Sequence, residues 1–63
     1  MQSVYDIRKL LLKFGTIIYL GDRLADLEMM ETELDELFQV NIITKEEYLE
    51  AKLILRKERE KTK

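Results

Sequence analysis

A chain of 63 residues makes one domain at most, and a domain this short buries only about 60% of its unfolded surface, so its stability is marginal. It contains no cysteine and no histidine, which excludes disulfides, thiolate metal sites and the commonest general base and transition-metal ligand; self-association is the remaining way to reinforce a small core. The net charge of −2 hides a sorting of +2 over residues 1–19, −8 over 20–50 and +4 over 51–63, so two basic ends flank an acidic middle.

At 46% hydrophobic and 38% charged, the chain is too apolar for a disordered tail. Its longest apolar run, Ile17-Ile18-Tyr19-Leu20, falls far short of the roughly 20 residues that cross a bilayer, and no basic segment leads into a long apolar one. These features predict an intracellular, cytoplasmic protein without a membrane span.

With no proline, the two glycines, Gly15 and Gly21, are the natural breaks. The first helix is expected over about Ser3 to Phe14. Ser3 is placed to cap it, with Asp6 three residues on, and Gly15 fits the position just past its end, where glycine takes the left-handed conformation cheaply. Val4, Ile7, Leu10, Leu11 and Phe14 share one face. The β-branched and aromatic stretch Thr16 to Leu20 reads either as a short extended piece or as a helical turn. No second strand candidate exists to pair with it, so a packed connector is expected.

The second helix is expected over about Asp22 to Gln39, capped by Asp22. Leu24, Leu27, Met30, Leu34, Leu37 and Phe38 recur at three- and four-residue spacing, and the acids are expected on the opposite face. Val40 to Ile43 forms the turn. Thr44-Lys45-Glu46-Glu47 is a capping box that starts the third helix, with Ile43 and Tyr48 at the positions of a hydrophobic staple. Tyr48, Ala51, Ile54 and Leu55 form one stripe on that helix, and Leu49 and Leu53 form a second, rotated stripe. A helix apolar on that much of its circumference either lies between both neighbours or contacts another subunit. Residues 57–63 carry no apolar side chain and are expected to fray or project as a charged extension. The prediction is an all-α, small three-helix bundle in a single domain over residues 1–63.

Catalysis has little to work with. Ser3 and the four threonines have no visible activating partner, and no glycine-rich phosphate loop is present. Asp22 with Asp26, or Glu28, Glu31 and Asp35, are spaced as helical neighbours and are of the type that binds Mg²⁺ or Ca²⁺, but a solvated acidic face is the expected role. No enzymatic activity, cofactor or small-molecule substrate is expected.

The outward arc of the first helix is the richer surface. It interleaves Arg8, Lys9 and Lys13 with Tyr5 and Leu12, and single-stranded nucleic acid calls for cations to meet phosphates and a ring to stack on a base. Tyr19 and Arg23, flanking Gly21, extend this candidate site, and Lys52, Arg56, Lys57 and Arg59 add a basic face on the third helix. Lysine and arginine also solubilise surfaces and complement a helix C-terminus without any ligand. Replacing Arg8, Lys9 and Lys13 together by Ala is expected to weaken binding strongly and leave the fold intact. The alternative is a protein-interaction or homo-oligomerisation module, which would use the apolar faces of the third helix and the complementary charge blocks.

Over nearly its whole length the chain resembles the YqgQ-like family of short bacterial proteins. The resemblance is carried by Tyr5-Asp6-Ile7-Arg8, Phe14-Gly15, Ile18-Tyr19, Gly21-Asp22-Arg23, Glu31, Glu33-Leu34 and Glu36-Leu37. It implies a compact three-helix fold, no catalytic activity and a role in binding single-stranded nucleic acid, and carries over no site residues. The C-terminal half, from Leu34 and Leu37 through Ile42-Ile43-Thr44-Lys45-Glu46-Glu47-Tyr48 to Lys52 and Leu55, is similar to the SHOCT-type helical hairpin, with Asn41 where glycine is common. That resemblance implies a hairpin associated with oligomerisation.

Overall fold

The structure, a computed structural model, describes residues 1–62 and consists of three helices: α1 (Val4–Lys13), α2 (Arg23–Gln39) and α3 (Lys45–Thr62). Their apolar faces meet in one core of Val4, Ile7, Leu11, Leu27, Met30, Leu34, Leu37, Ile43, Ala51 and Leu55, with Leu10, Ile18, Phe38, Tyr48 and Ile54 packed around it. The expected three-helix, all-α architecture is therefore the one observed. The spacing of these core residues is what makes each segment a helix in this context, since a short helix gains its stability from packing one face rather than from propensity.

The ends of the helices are set by local chemistry. At the end of α1, Gly15 has φ +83°, its N–H donates to Leu12 O at 2.9 Å, and the Thr16 N–H donates to Leu11 O at 3.0 Å. The end of α2 repeats this pattern with a non-glycine residue: Asn41 has φ +61°, its N–H reaches Phe38 O at 3.0 Å, and the Ile42 N–H reaches Leu37 O at 2.9 Å. Both are Schellman closures, in which a left-handed residue lets the chain satisfy the last helical carbonyls. Asp22 caps α2 through the Ala25 N–H at 3.3 Å. The capping box of α3 is complete, with the Thr44 N–H donating to Glu47 Oε1 at 2.9 Å and the Glu47 N–H donating to Thr44 Oγ1 at 3.1 Å.

Three expectations are corrected. Ser3 stands at the N-cap of α1, but its side chain accepts no bond; Asp6 instead accepts the Gln2 N–H at 2.9 Å, one residue earlier than a capping box requires. Phe14 lies exposed beyond the last turn of α1 rather than in the core. The charged end of the chain continues α3 as helix through Thr62 and is tied to α2 by Arg23–Glu58 and Arg59–Glu31 ion pairs at 3.1 and 3.2 Å; Lys63 lies outside the described residues.

Thr16 to Leu20 is not helical. Ile18 packs inward while Ile17 and Tyr19 are exposed. Lacking a sheet partner, the segment is held by side chains of the helices it joins, as described next.

Candidate nucleic-acid interface

α1 carries Tyr5, Arg8, Lys9 and Lys13 on the arc away from Ile7 and Leu11. Tyr5 keeps 66% of its surface exposed, and the Lys9 ammonium lies over its ring, 5.5 Å from the centroid. Lys9 and Lys13 are exposed and, among the described residues, make no ion pair with any carboxylate. One turn apart, their ammonium groups can follow a run of phosphates along the helix. Tyr19, on the connector, is 81% exposed.

Arg8 is differently placed. Its guanidinium donates to Ile18 O at 2.8 Å and lies 3.6 Å from the carboxylate of Asp26. Asp26 is only 4% exposed, and its other oxygen accepts the Leu20 N–H at 2.6 Å. Arg8 and Asp26 thus hold the connector between α1 and α2 at Ile18 and Leu20, and Arg8 is a fastening of the fold with only part of its surface open to a ligand. The triple replacement of Arg8, Lys9 and Lys13 would therefore disturb the structure, contrary to the expectation from sequence. Beside this clamp, Leu11, Leu12, Thr16, Ile17, Ile18 and Met30 line a mostly apolar cleft of about 190 Å³.

The other candidate cations divide in the same way. Lys52 meets Glu31 at 2.8 Å and Asp35 at 3.2 Å, Arg59 meets Glu31 at 3.2 Å and Arg23 meets Glu58 at 3.1 Å. The acids of α2 are thus not simply a solvated face: Glu31 and Asp35 sit at the boundary with α3 and neutralise its cations. Burial opposes the charge on Lys52, but the carboxylates of Glu31 and Asp35 outweigh it and hold its pKa above the ordinary lysine value. The Tyr48 hydroxyl donates to Asp35 at 2.6 Å, while its ring stacks on Phe38 with centroids 4.4 Å apart. That hydroxyl, helped by Lys52 and opposed by desolvation, holds the Asp35 carboxyl below its usual range. Arg56 and Lys57 are exposed and form no ion pair among the described residues. They lie on α3, whereas Lys9 and Lys13 lie on α1, so the free basic groups are divided between two helices.

The residue that sequence reading undervalued is Asp26. Its signal was present, for Asp26 shares the four-residue spacing of the buried Met30 and Leu34, and an acid on an apolar stripe requires a partner. Among the described residues no group of three or more acidic side chains is arranged to hold a metal ion.

The fold and this surface define a small three-helix protein that carries a basic and aromatic helix face. The family model described as YqgQ-like matches residues 1–61, and the chain belongs to that family. It is 46% identical over 63 residues to the uncharacterized protein YqgQ of Bacillus subtilis (strain 168), an alignment covering 100% of this chain and 89% of that protein. No helix among the described residues is long and apolar enough to cross a membrane.

Proposed function

We propose that the protein binds single-stranded nucleic acid through the outward face of α1, with Lys9 and Lys13 meeting phosphates and Tyr5 stacking on a base. The observation that carries this reading is the set of two unpaired cations beside a largely exposed ring on one helix face. Tyr19, free on the connector, offers a second ring. Arg8, Arg23, Lys52 and Arg59 take supporting places, because each already has a protein partner. The acidic surface of α2 disfavours a duplex wrapped around the molecule and leaves room for a strand along one side. On this reading the protein is a cytoplasmic binding module without catalytic activity, in keeping with a chain that has no histidine or cysteine.

Fluorescence anisotropy with labelled single-stranded RNA, single-stranded DNA and duplex DNA, at several salt concentrations, tests the reading. Each phosphate met on a single strand contributes about −0.7 to the slope of log K against log salt, so Lys9 and Lys13 together predict about −1.4. The Lys9→Ala/Lys13→Ala variant is expected to lose that slope, and Tyr5→Ala is expected to cost about 1–3 kcal/mol of binding. Absence of binding at low salt, or an unchanged affinity in the double variant, would overturn the proposal.

A further inference from the structure

The cleft beside Arg8 combines apolar walls with unused hydrogen-bond donors. Leu11 and Met30 reach it from the core, while Leu12 and Ile17 line it with 57% and 80% of their surface exposed. Thr16 also lines it, and its hydroxyl makes no hydrogen bond among the described residues. Arg8 completes the lining. Of the five N–H donors that a guanidinium carries, those of Arg8 make one hydrogen bond among the described residues, to Ile18 O. Its approach to Asp26, at 3.6 Å, is longer than a hydrogen bond. The backbone N–H groups of Ile17 and Ile18 are likewise unpaired among the described residues. No acid lines the cleft, and its volume of about 190 Å³ is below the roughly 300–1,000 Å³ that takes a drug-sized ligand.

We propose that this cleft receives one unstacked base of the single strand bound on α1, an assignment that rests on the nucleic-acid reading above. A base is apolar on its faces and polar along its edge, so aliphatic side chains can pack on the ring while donors pair with the edge. An alkyl chain of the same size would leave the Thr16 hydroxyl and the Arg8 N–H groups covered and unpaired, at a cost in free energy. The cleft also borders the cationic face directly. Leu12 follows Arg8 by four residues and Lys9 by three, and it precedes Lys13, so a strand whose phosphates meet the two lysines passes the mouth of the cleft. Tyr5 lies seven residues from Leu12, about 10 Å along the helix, so it stacks on a different base. Because the lining groups are chiefly donors, the cleft favours a base that presents carbonyl oxygens, such as thymine, uracil or guanine, over adenine.

Methyl NMR of the full chain, titrated with single strands of about ten nucleotides, tests the assignment. Oligothymidine is expected to shift the Ile17, Ile18 and Met30 methyl signals through the ring current of the inserted base. An abasic strand of the same length, at matched occupancy, is expected to leave them in place. Leu12→Ala/Ile17→Ala removes two exposed side chains and is expected to keep the native circular dichroism spectrum. It is expected to weaken oligothymidine binding about tenfold and to leave the abasic strand unaffected. The native chain is expected to prefer oligothymidine to oligodeoxyadenosine, and the double variant to lose that preference. Oligothymidine binding that leaves the three methyls unmoved, or a double variant with native affinity and preference, would overturn the cleft assignment and leave the reading of α1 standing. No binding of any strand at low salt would overturn both.

Discussion

Asp26 ties three parts of the chain together from the apolar stripe of α2. One carboxylate oxygen takes the Leu20 N–H, and the other faces Arg8, which in turn donates to Ile18 O. Asp26→Ala would strand a backbone donor and leave Arg8 without its counter-charge. The expected cost is about 2 kcal/mol, less than for a fully buried pair because the Arg8 side chain is partly solvated. Asp26→Asn keeps an acceptor for Leu20 and is expected to lose less. Urea denaturation measures both, and equal stability of Asp26→Ala and the native chain would show that the clamp contributes nothing.

Asp35 offers a pH-dependent test at the same scale. The Tyr48 hydroxyl and Lys52 depress its folded-state pKa below the unfolded value, so the folded chain favours the carboxylate. The resulting stabilisation is present above the ordinary carboxylate pKa and fades as pH falls through the depressed one. Tyr48→Phe keeps the ring that stacks on Phe38 and removes the hydroxyl. It is expected to shrink the acid-dependent part of the stability, read as melting temperature against pH from neutral to strongly acidic. A profile identical to that of the native chain would contradict this account.

Among the elements, the helix ends were the most legible from sequence. Asp22, the Thr44–Glu47 box and Gly15 act through bonds spanning at most five residues, so their spacing alone announces them. Ser3 looked equivalent and is not, because the Asp6 carboxylate settles on the Gln2 N–H. The connector stayed ambiguous in the sequence for the opposite reason: its conformation depends on Arg8 and Asp26, ten and six residues from the groups they hold. At Gly15 an added Cβ would meet nothing within 4 Å, so Gly15→Ala isolates the backbone cost of the left-handed conformation. That cost is expected to be about 1–2 kcal/mol. Asn41→Gly, at the matching end of α2, is expected to change stability in the favourable direction, and thermal melts compare the two.

For the whole molecule, ten buried apolar residues supply the core that all three helices share. At about 0.05–0.15 kcal/mol per residue, a chain of 63 residues has roughly 3–9 kcal/mol of stability. Leu34, fully buried in the middle of α2, is expected to cost about 2–5 kcal/mol when cut to Ala, enough to unfold much of the population at 37 °C. A cooperative melt near the native temperature would show the core to be better reinforced than its size implies. With so thin a margin, anything that binds the folded chain raises its stability appreciably by mass action.

Composition and periodicity alone determined that this chain is a three-helix, all-α protein, where α1 and α2 stop, and most of its core, because those outcomes depend on residues three to five positions apart. They also marked the basic and aromatic arc of α1. Which cations on that arc remain free was decided only by the tertiary structure. Arg8 and Lys9 are adjacent in sequence and alike in charge, yet one is bound by Asp26 and Ile18 while the other lies over Tyr5 in solvent. Pairing of that kind depends on which acid the fold brings within about 4 Å, a long-range fact that no local pattern encodes.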